Sequence, residues 1–455
     1  MKTLLFDRLA ASWPLRPLTG DWERLLGPTG LKSLVSVADR LIVAGTNFLT
    51  LVVVVRAAGV EALGVFILAW TVLLAVNALQ EAMIHSPFTV FVARRRTAGE
   101  RSRYAAAAAT LQTGVATMVM VLVLVIALAM TVSGAGSLMS HAAWGLLIAI
   151  PGVSLREFAR RFMFAKLAAA GVLMLDACVA ALQLAGLVAL WFAGLLSPGA
   201  ALLVIAVATG LPALIWAACS RAAFSRPKCR MIAVEAKRHL LFGRWIGGAQ
   251  MADLAVTHGV AWLLAALAGT AATGIFAACN SIVLVINPLL HGIGSILLPR
   301  AALAYHQHGE GEVGRIVWKV TGLLTLTVGM VSLAVILGGK YVIATLYALE
   351  SSEQVGLTIF LLALANFFGA ASFAIDNGLM VLQRQNVNFI ASLIGLITTV
   401  LVALLLIPSL GVVGTATGVL IGTLLGSLFQ IVIFIRLVGL PSIPLVSRPR
   451  RRRSS

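Results

Sequence analysis

Polar side chains inside long apolar runs are the residues that could do chemistry in this chain, because a charge at mid-bilayer costs about 2.5–3.5 kcal/mol on the insertion scale. They fall into four stripes. Asn77, Glu81 and His85 recur at i, i+4 and i+8, and Asn280, Asn287 and His291 at i, i+7 and i+11, so each set shares one helical face. Asp39, Arg40 and Asn47 lie in an earlier run, and Gln250, Asp253 and Thr257 follow at i, i+3 and i+7 in a later one. Amides and hydroxyls suit hydrogen bonds to a hydroxyl-rich ligand. Arg40, joined by Arg244, suits a phosphate or pyrophosphate group. Glu81 and Asp253 would repel that anion and suit a coupling cation instead. The competing readings are an Asp39–Arg40 or Arg244–Asp253 ion pair, arginines snorkelling to the interface, and isolated interhelical hydrogen bonds worth about 0.6 kcal/mol each. Asp176 and Asp376 stand outside the stripes.

The elements that must position these residues are set by composition. Of 455 residues, 60% are hydrophobic and 11% charged, with a mean hydropathy of +1.02. A soluble domain is about 25% charged, so the surroundings are lipid. Twelve segments are long enough to cross: near 33–57, 62–90, 104–132, 139–163, 167–195, 199–219, 241–266, 272–298, 316–338, 356–380, 387–409 and 412–437. The net charge of +18 would suggest nucleic acid in a soluble protein. Here position decides otherwise, because all the Lys and Arg except Arg56 and Lys340 fall on one side of this alternation. The positive-inside rule makes that side cytoplasmic, with both termini on it. The four cysteines show no C-x-x-C spacing, which implies neither disulfide nor metal site.

The chain divides into a cytoplasmic segment 1–32, an N-lobe 33–219, a basic linker 220–240, a C-lobe 241–437 and a basic tail 438–455. The first segment lacks a cleavable signal core; Leu4, Leu5, Phe6, Leu9 and Trp13 suit either a surface helix or an unstructured leader. The linker, with Arg221, Arg226, Lys228, Arg230, Lys237 and Arg238 against Glu235, suits anionic membrane lipid.

An offset of 210 residues aligns Ala58–Glu81 with Ala268–His291, pairing Gly59 with Gly269, Gly64 with Gly274, Phe66 with Phe276 and Asn77 with Asn287. Six spans per half is even, so the two bundles form a parallel repeat about an axis along the membrane normal. The duplicated polar faces then meet across an inter-lobe cavity. On helix 12, Gly414, Gly418, Gly422 and Gly426 form an i+4 ladder suited to close packing on a neighbour in the same lobe.

No Walker A loop, H-E-x-x-H, G-x-S-x-G or D-x-D pair occurs, so the expectation is a non-enzyme without cofactor or metal.

The stretch AGVEALGVFILAWTVL, the RRR of 94–96, REFARRFMFA at Arg156–Ala165, FGRW at Phe242–Trp245 and LLPRAALA at Leu297–Ala304 resemble bacterial polysaccharide flippases. These belong to the multidrug, oligosaccharidyl-lipid and polysaccharide exporter superfamily. The resemblance implies an all-α membrane protein with twelve spans in a V of two six-helix bundles. It also implies translocation of an undecaprenyl-diphosphate-linked oligosaccharide across the plasma (inner) membrane by ion-coupled alternating access, for exopolysaccharide or lipopolysaccharide assembly alongside polymerase and export proteins. Lipid II flippases of the superfamily line their cavity with arginines from helices 1, 2 and 8; here only Arg40 matches, and Glu81 and His291 depart from that pattern. The alternatives are a cation-coupled multidrug antiporter on the same fold and a membrane scaffold or enzyme of polysaccharide assembly.

Overall fold

The computed structural model describes residues 16–439 except 93, 135, 167, 226, 228, 350 and 351. Within some helices the side chains, those of Asp253 and His291 among them, lie outside the described residues, as do 1–15 and the tail from 440. Every regular element among the described residues is helical.

The first helical stretch, Arg16–Gln80, is too long to be one span, since hydrocarbon about 30 Å thick is crossed by roughly 20 residues. Gly59, at φ +87°, turns it back. Gly269, at φ +88°, does the same in the second half. Only glycine adopts that conformation without penalty, so the glycine pair of the sequence repeat has a common backbone role. The two turns yield twelve long helices among the described residues. They are α1 (16–58), α2 (60–92), α3 (Ala98–Val132), α4 (Ser137–Ala165), α5 (Ala169–Phe192) and α6 (Pro198–Cys219), then α7 (229–268), α8 (270–308), α9 (Glu310–Tyr347), α10 (Glu353–Val381), α11 (Gln385–Leu410) and α12 (Val412–Val438). Helix α7 starts at Cys229, well inside the stretch read as a linker.

Packing differs between the two ends of the molecule. In the half remote from the arginine clusters, one core joins both lobes: Val52–Val55, Leu63 and Phe66 of the N-lobe pack with Leu264, Phe276, Ile343 and Ile359 of the C-lobe. Gly64 of α2 and Gly274 of α8, mates in the repeat, make this contact possible. A Cβ on Gly64 would overlap the Thr270 carbonyl, and one on Gly274 the Val60 carbonyl. Arg56 adds a lock by donating from Nε to the Leu346 carbonyl (2.7 Å) and from Nη2 to that of Thr345, at the end of α9.

At the basic end the lobes have separate cores. Phe88, Tyr104, Phe158, Phe162 and Trp216 build one in the N-lobe, and Leu297, Val317, Leu379 and Phe434 build one in the C-lobe. The start of α7 bridges them there, with Met231 packed on the N-lobe core and Glu235 paired with Arg95. The glycine ladder packs within its own lobe, against the α11 backbone at Leu406, Thr399, Gly395 and Ala391.

Candidate functional site

Helix α2 does not stay α-helical at its polar stripe. Glu81–His85 forms a π turn, and the Ser86 N–H closes the wider ring on the Glu81 carbonyl. The Ser86 hydroxyl donates to Glu81 Oε1 at 3.0 Å, and His85 Nδ1 lies 3.3 Å from Oε2. Pro87 has no N–H to offer the Met83 carbonyl four residues earlier, and that carbonyl accepts from His239 Nδ1 of α7 (3.1 Å). Nδ1 thus carries the proton and Nε2 accepts the Tyr104 hydroxyl at 2.7 Å. Gly243, one turn further along α7, lies so close to the π turn that a Cβ would strike the Ala82 carbonyl.

The second contributor is the end of α4. Arg156, Glu157, Arg160 and Arg161 come from the REFARRF stretch and share one broad face of the helix, with Arg156 and Arg161 at its two edges. Arg156 Nη2 meets Asp176 Oδ1 of α5 at 2.7 Å. Arg160 holds Asp39 Oδ2 of α1 at 3.0 Å, Asp176 Oδ2 at 2.8 Å and Glu157 Oε2 at 3.2 Å. Arg161 turns the other way and holds Glu81 Oε2 at 2.5 Å. Asp39 thus pairs with Arg160 rather than with its neighbour Arg40. The cluster contains four carboxylates against three guanidiniums.

Between the lobes, Asn77, Ala78, Glu81, His85, Glu157 and Arg161 of the N-lobe face Gln250 and Leu254 of α7 across a cavity of about 450 Å³. Asn77 Oδ1 and Gln250 Oε1 are buried there without a hydrogen-bond donor among the described residues. No Phe, Tyr or Trp appears among the described lining residues.

The structure brings Asn77, Glu81 and Gln250 together and distributes the other sequence candidates elsewhere. Asn47 lines a water-sized space of about 30 Å³ inside the N-lobe with Trp70, Arg156, Asp176 and Gln183. Arg40 and Arg244 are exposed and do not line the vestibule. Thr257 is exposed and bonds back to the Leu254 carbonyl, while Asn280 and Asn287 are half-buried outside the lining. Asp253 and His291 fall on side chains outside the described residues. Arg161 and Glu157 are the lining residues that sequence reasoning passed over, since the arginines of this stretch read as topology markers. The available signal was the pair of leftover acids, Asp39 and Asp176, on helices with the same depth profile as the α4 arginines.

Twelve long, largely apolar helices in two lobes around a polar vestibule have the build of a polytopic membrane protein. The chain is similar to an inward-facing multidrug resistance MATE family transporter of the MOP superfamily, with TM-score 0.69 and 15% identity over 90% of this chain and 94% of that one. It also resembles the lipid II flippase MurJ in an inward closed conformation (TM-score 0.65, 11% identity, 89% and 90% covered). A third likeness is a MOP superfamily transporter from Pyrococcus furiosus distinguished by reverse polarity of its binding pocket (0.64, 14%, 89% and 94%). No protein-family profile and no curated protein matches the chain. At these identities the likeness establishes the fold, which is of the MATE type.

Proposed function

We propose that this chain is a flippase that carries an undecaprenyl-diphosphate-linked oligosaccharide across the plasma membrane for surface polysaccharide assembly. The carrying observation is the vestibule itself, where Arg161 stands beside two buried amide oxygens lacking donors, Asn77 Oδ1 and Gln250 Oε1. A planar guanidinium suits a phosphate bidentately. Unsatisfied buried acceptors each cost about 1–3 kcal/mol and are relieved by sugar hydroxyls. Arg161 takes the part that the sequence suggested for Arg40.

Coupling follows from the same pair. An incoming diphosphate competes with Glu81 for Arg161, and Glu81, left with His85 and Ser86, then binds a cation to offset its charge. The surplus carboxylate in the cluster supports this. With the basic face taken as cytoplasmic, Glu157 and Arg161 place the vestibule toward the side on which such a substrate is made.

The surplus carboxylate also favours a second reading, cation-coupled export of drugs, which the MATE fold accommodates; the lack of aromatic rings in the lining speaks against it. The deciding test is scrambling of a fluorescent polyprenyl-diphosphate oligosaccharide in proteoliposomes. Arg161→Gln and Asn77→Ala should each abolish flipping in folded protein. Wild-type flipping in both variants, or cationic dye export with no lipid flipping, would reject the flippase.

A further inference from the structure

A larger cavity than the vestibule lies at the basic end of the N-lobe, on a different side of α4. It measures about 900 Å³ and is framed by the end of α2, the start of α3, the end of α4 and the turn at Ala223. Its floor is apolar: Phe88 and Phe162 come from the aromatic core, and Ala105 lies beside them. Phe164, 37% exposed, forms one wall.

Two cations stand over this floor. Arg101 is tethered by a 3.0 Å bond from Nε to the Arg95 carbonyl, and Lys166 Nζ sits 4.4 Å from the centre of the Phe162 ring. Neither has a carboxylate partner among the described residues, whereas Arg95, Arg156, Arg160, Arg161 and Arg238 all do. No acid is found among the described lining residues. Cationic rim and aromatic floor together match a molecule with an anionic head and acyl chains. The apolar run of α3 begins at Tyr104, directly after Arg101 and Arg103, so the cavity sits where hydrocarbon meets head groups.

We propose that this cavity is a binding site for an anionic phospholipid of the leaflet at the basic face, with its phosphate between Arg101 and Lys166 and an acyl chain along Phe162 and Phe164. The site is independent of transport. Occupancy would brace the ends of α2, α3 and α4 against one another.

The test is native mass spectrometry of the purified full chain titrated with dioleoylphosphatidylglycerol or dioleoylphosphatidylcholine. Phosphatidylglycerol should bind more tightly. Arg101→Gln and Lys166→Gln should each weaken it roughly five-fold, as expected for one cation at a membrane surface. Lys166→Glu guards against a folding artefact, because Lys166 is exposed and its reversal should weaken binding further with an unchanged melting temperature. Arg230→Gln with Lys237→Gln removes two charges from the exposed start of α7, outside the cavity, and should change binding less than two-fold. Equal loss from that control pair would mean diffuse attraction and overturn the site. Equal binding of the two lipids, or full competition by soluble glycerol phosphate, would also overturn it.

Discussion

Arg160 and Arg161 are adjacent in the chain and face opposite demands, so replacing each by methionine separates architecture from transport. Arg160 touches three carboxylates, and two of these are sealed from solvent, Asp39 at 3% and Asp176 at 1% exposed. Arg160→Met leaves Asp39 without an ion-pair partner among the described residues, while Asp176 keeps Arg156. Removing one member of a buried pair costs about 3–5 kcal/mol, a large share of a typical net stability of about 5–15 kcal/mol. Arg161 holds a single carboxylate from a side chain 39% exposed, so Arg161→Met should cost about 1 kcal/mol or less. The assay is thermal melting by tryptophan fluorescence in mild detergent, run beside lipid scrambling. Arg160→Met should yield little folded protein and melt many degrees lower; Arg161→Met should melt within a few degrees of the parent and fail to transport. Adding Asp39→Asn to Arg160→Met should recover part of the loss, because the stranded charge is gone. If the two methionine variants melt alike, the division into a buried hub and a vestibule arm is wrong.

Gly64→Val and Gly274→Val should each force α2 and α8 apart at the non-basic end, which labelling of an engineered cysteine at Thr71 by a membrane-impermeant maleimide would reveal as a rise in reactivity. Arg56→Ala removes two bonds to the α9 terminus and should raise that same labelling by a smaller factor. His239 sits at the start of α7, where burial lowers its pKa below the ordinary 6.5, so the neutral ring is the docked form. That docking is complete above pH 6.5 and weakens as pH falls below it, since the undocked imidazole takes up the proton. Protection factors for hydrogen exchange over 229–244, corrected for the intrinsic pH dependence of exchange, should therefore fall between pH 7 and 5.5, and His239→Gln should flatten that dependence. Gly422→Leu should destabilise the α11–α12 pair by about 1–3 kcal/mol or more, read as a lower melting temperature, because the added side chain meets Thr399 and the Gly395 carbonyl.

Much of this architecture was legible in the sequence because its signals are local. Span length follows from runs of apolar residues, and the 210-residue repeat paired Gly59 with Gly269 and Gly64 with Gly274, to which the structure gives matched turns and a mutual contact. The stripe Asn77, Glu81, His85 was visible from its spacing and does line the vestibule. Its partners were not. A soluble helix marks its inner face by being apolar, but a membrane helix is apolar on its lipid face too, so the pattern specifies depth and leaves rotation about the helix axis open. That rotation turned Asn47 into the N-lobe, left Arg40 exposed, and brought Asp39 to Arg160, 121 residues away. It also set Arg161 toward the gap while Arg160 faces the interior. Sequence alone determined that the chain is built of long apolar helices and which end is basic, because hydropathy and charge are carried by each segment separately. Which polar groups meet was decided only when the helices packed, because a buried charge must find its counter-charge wherever the fold provides one.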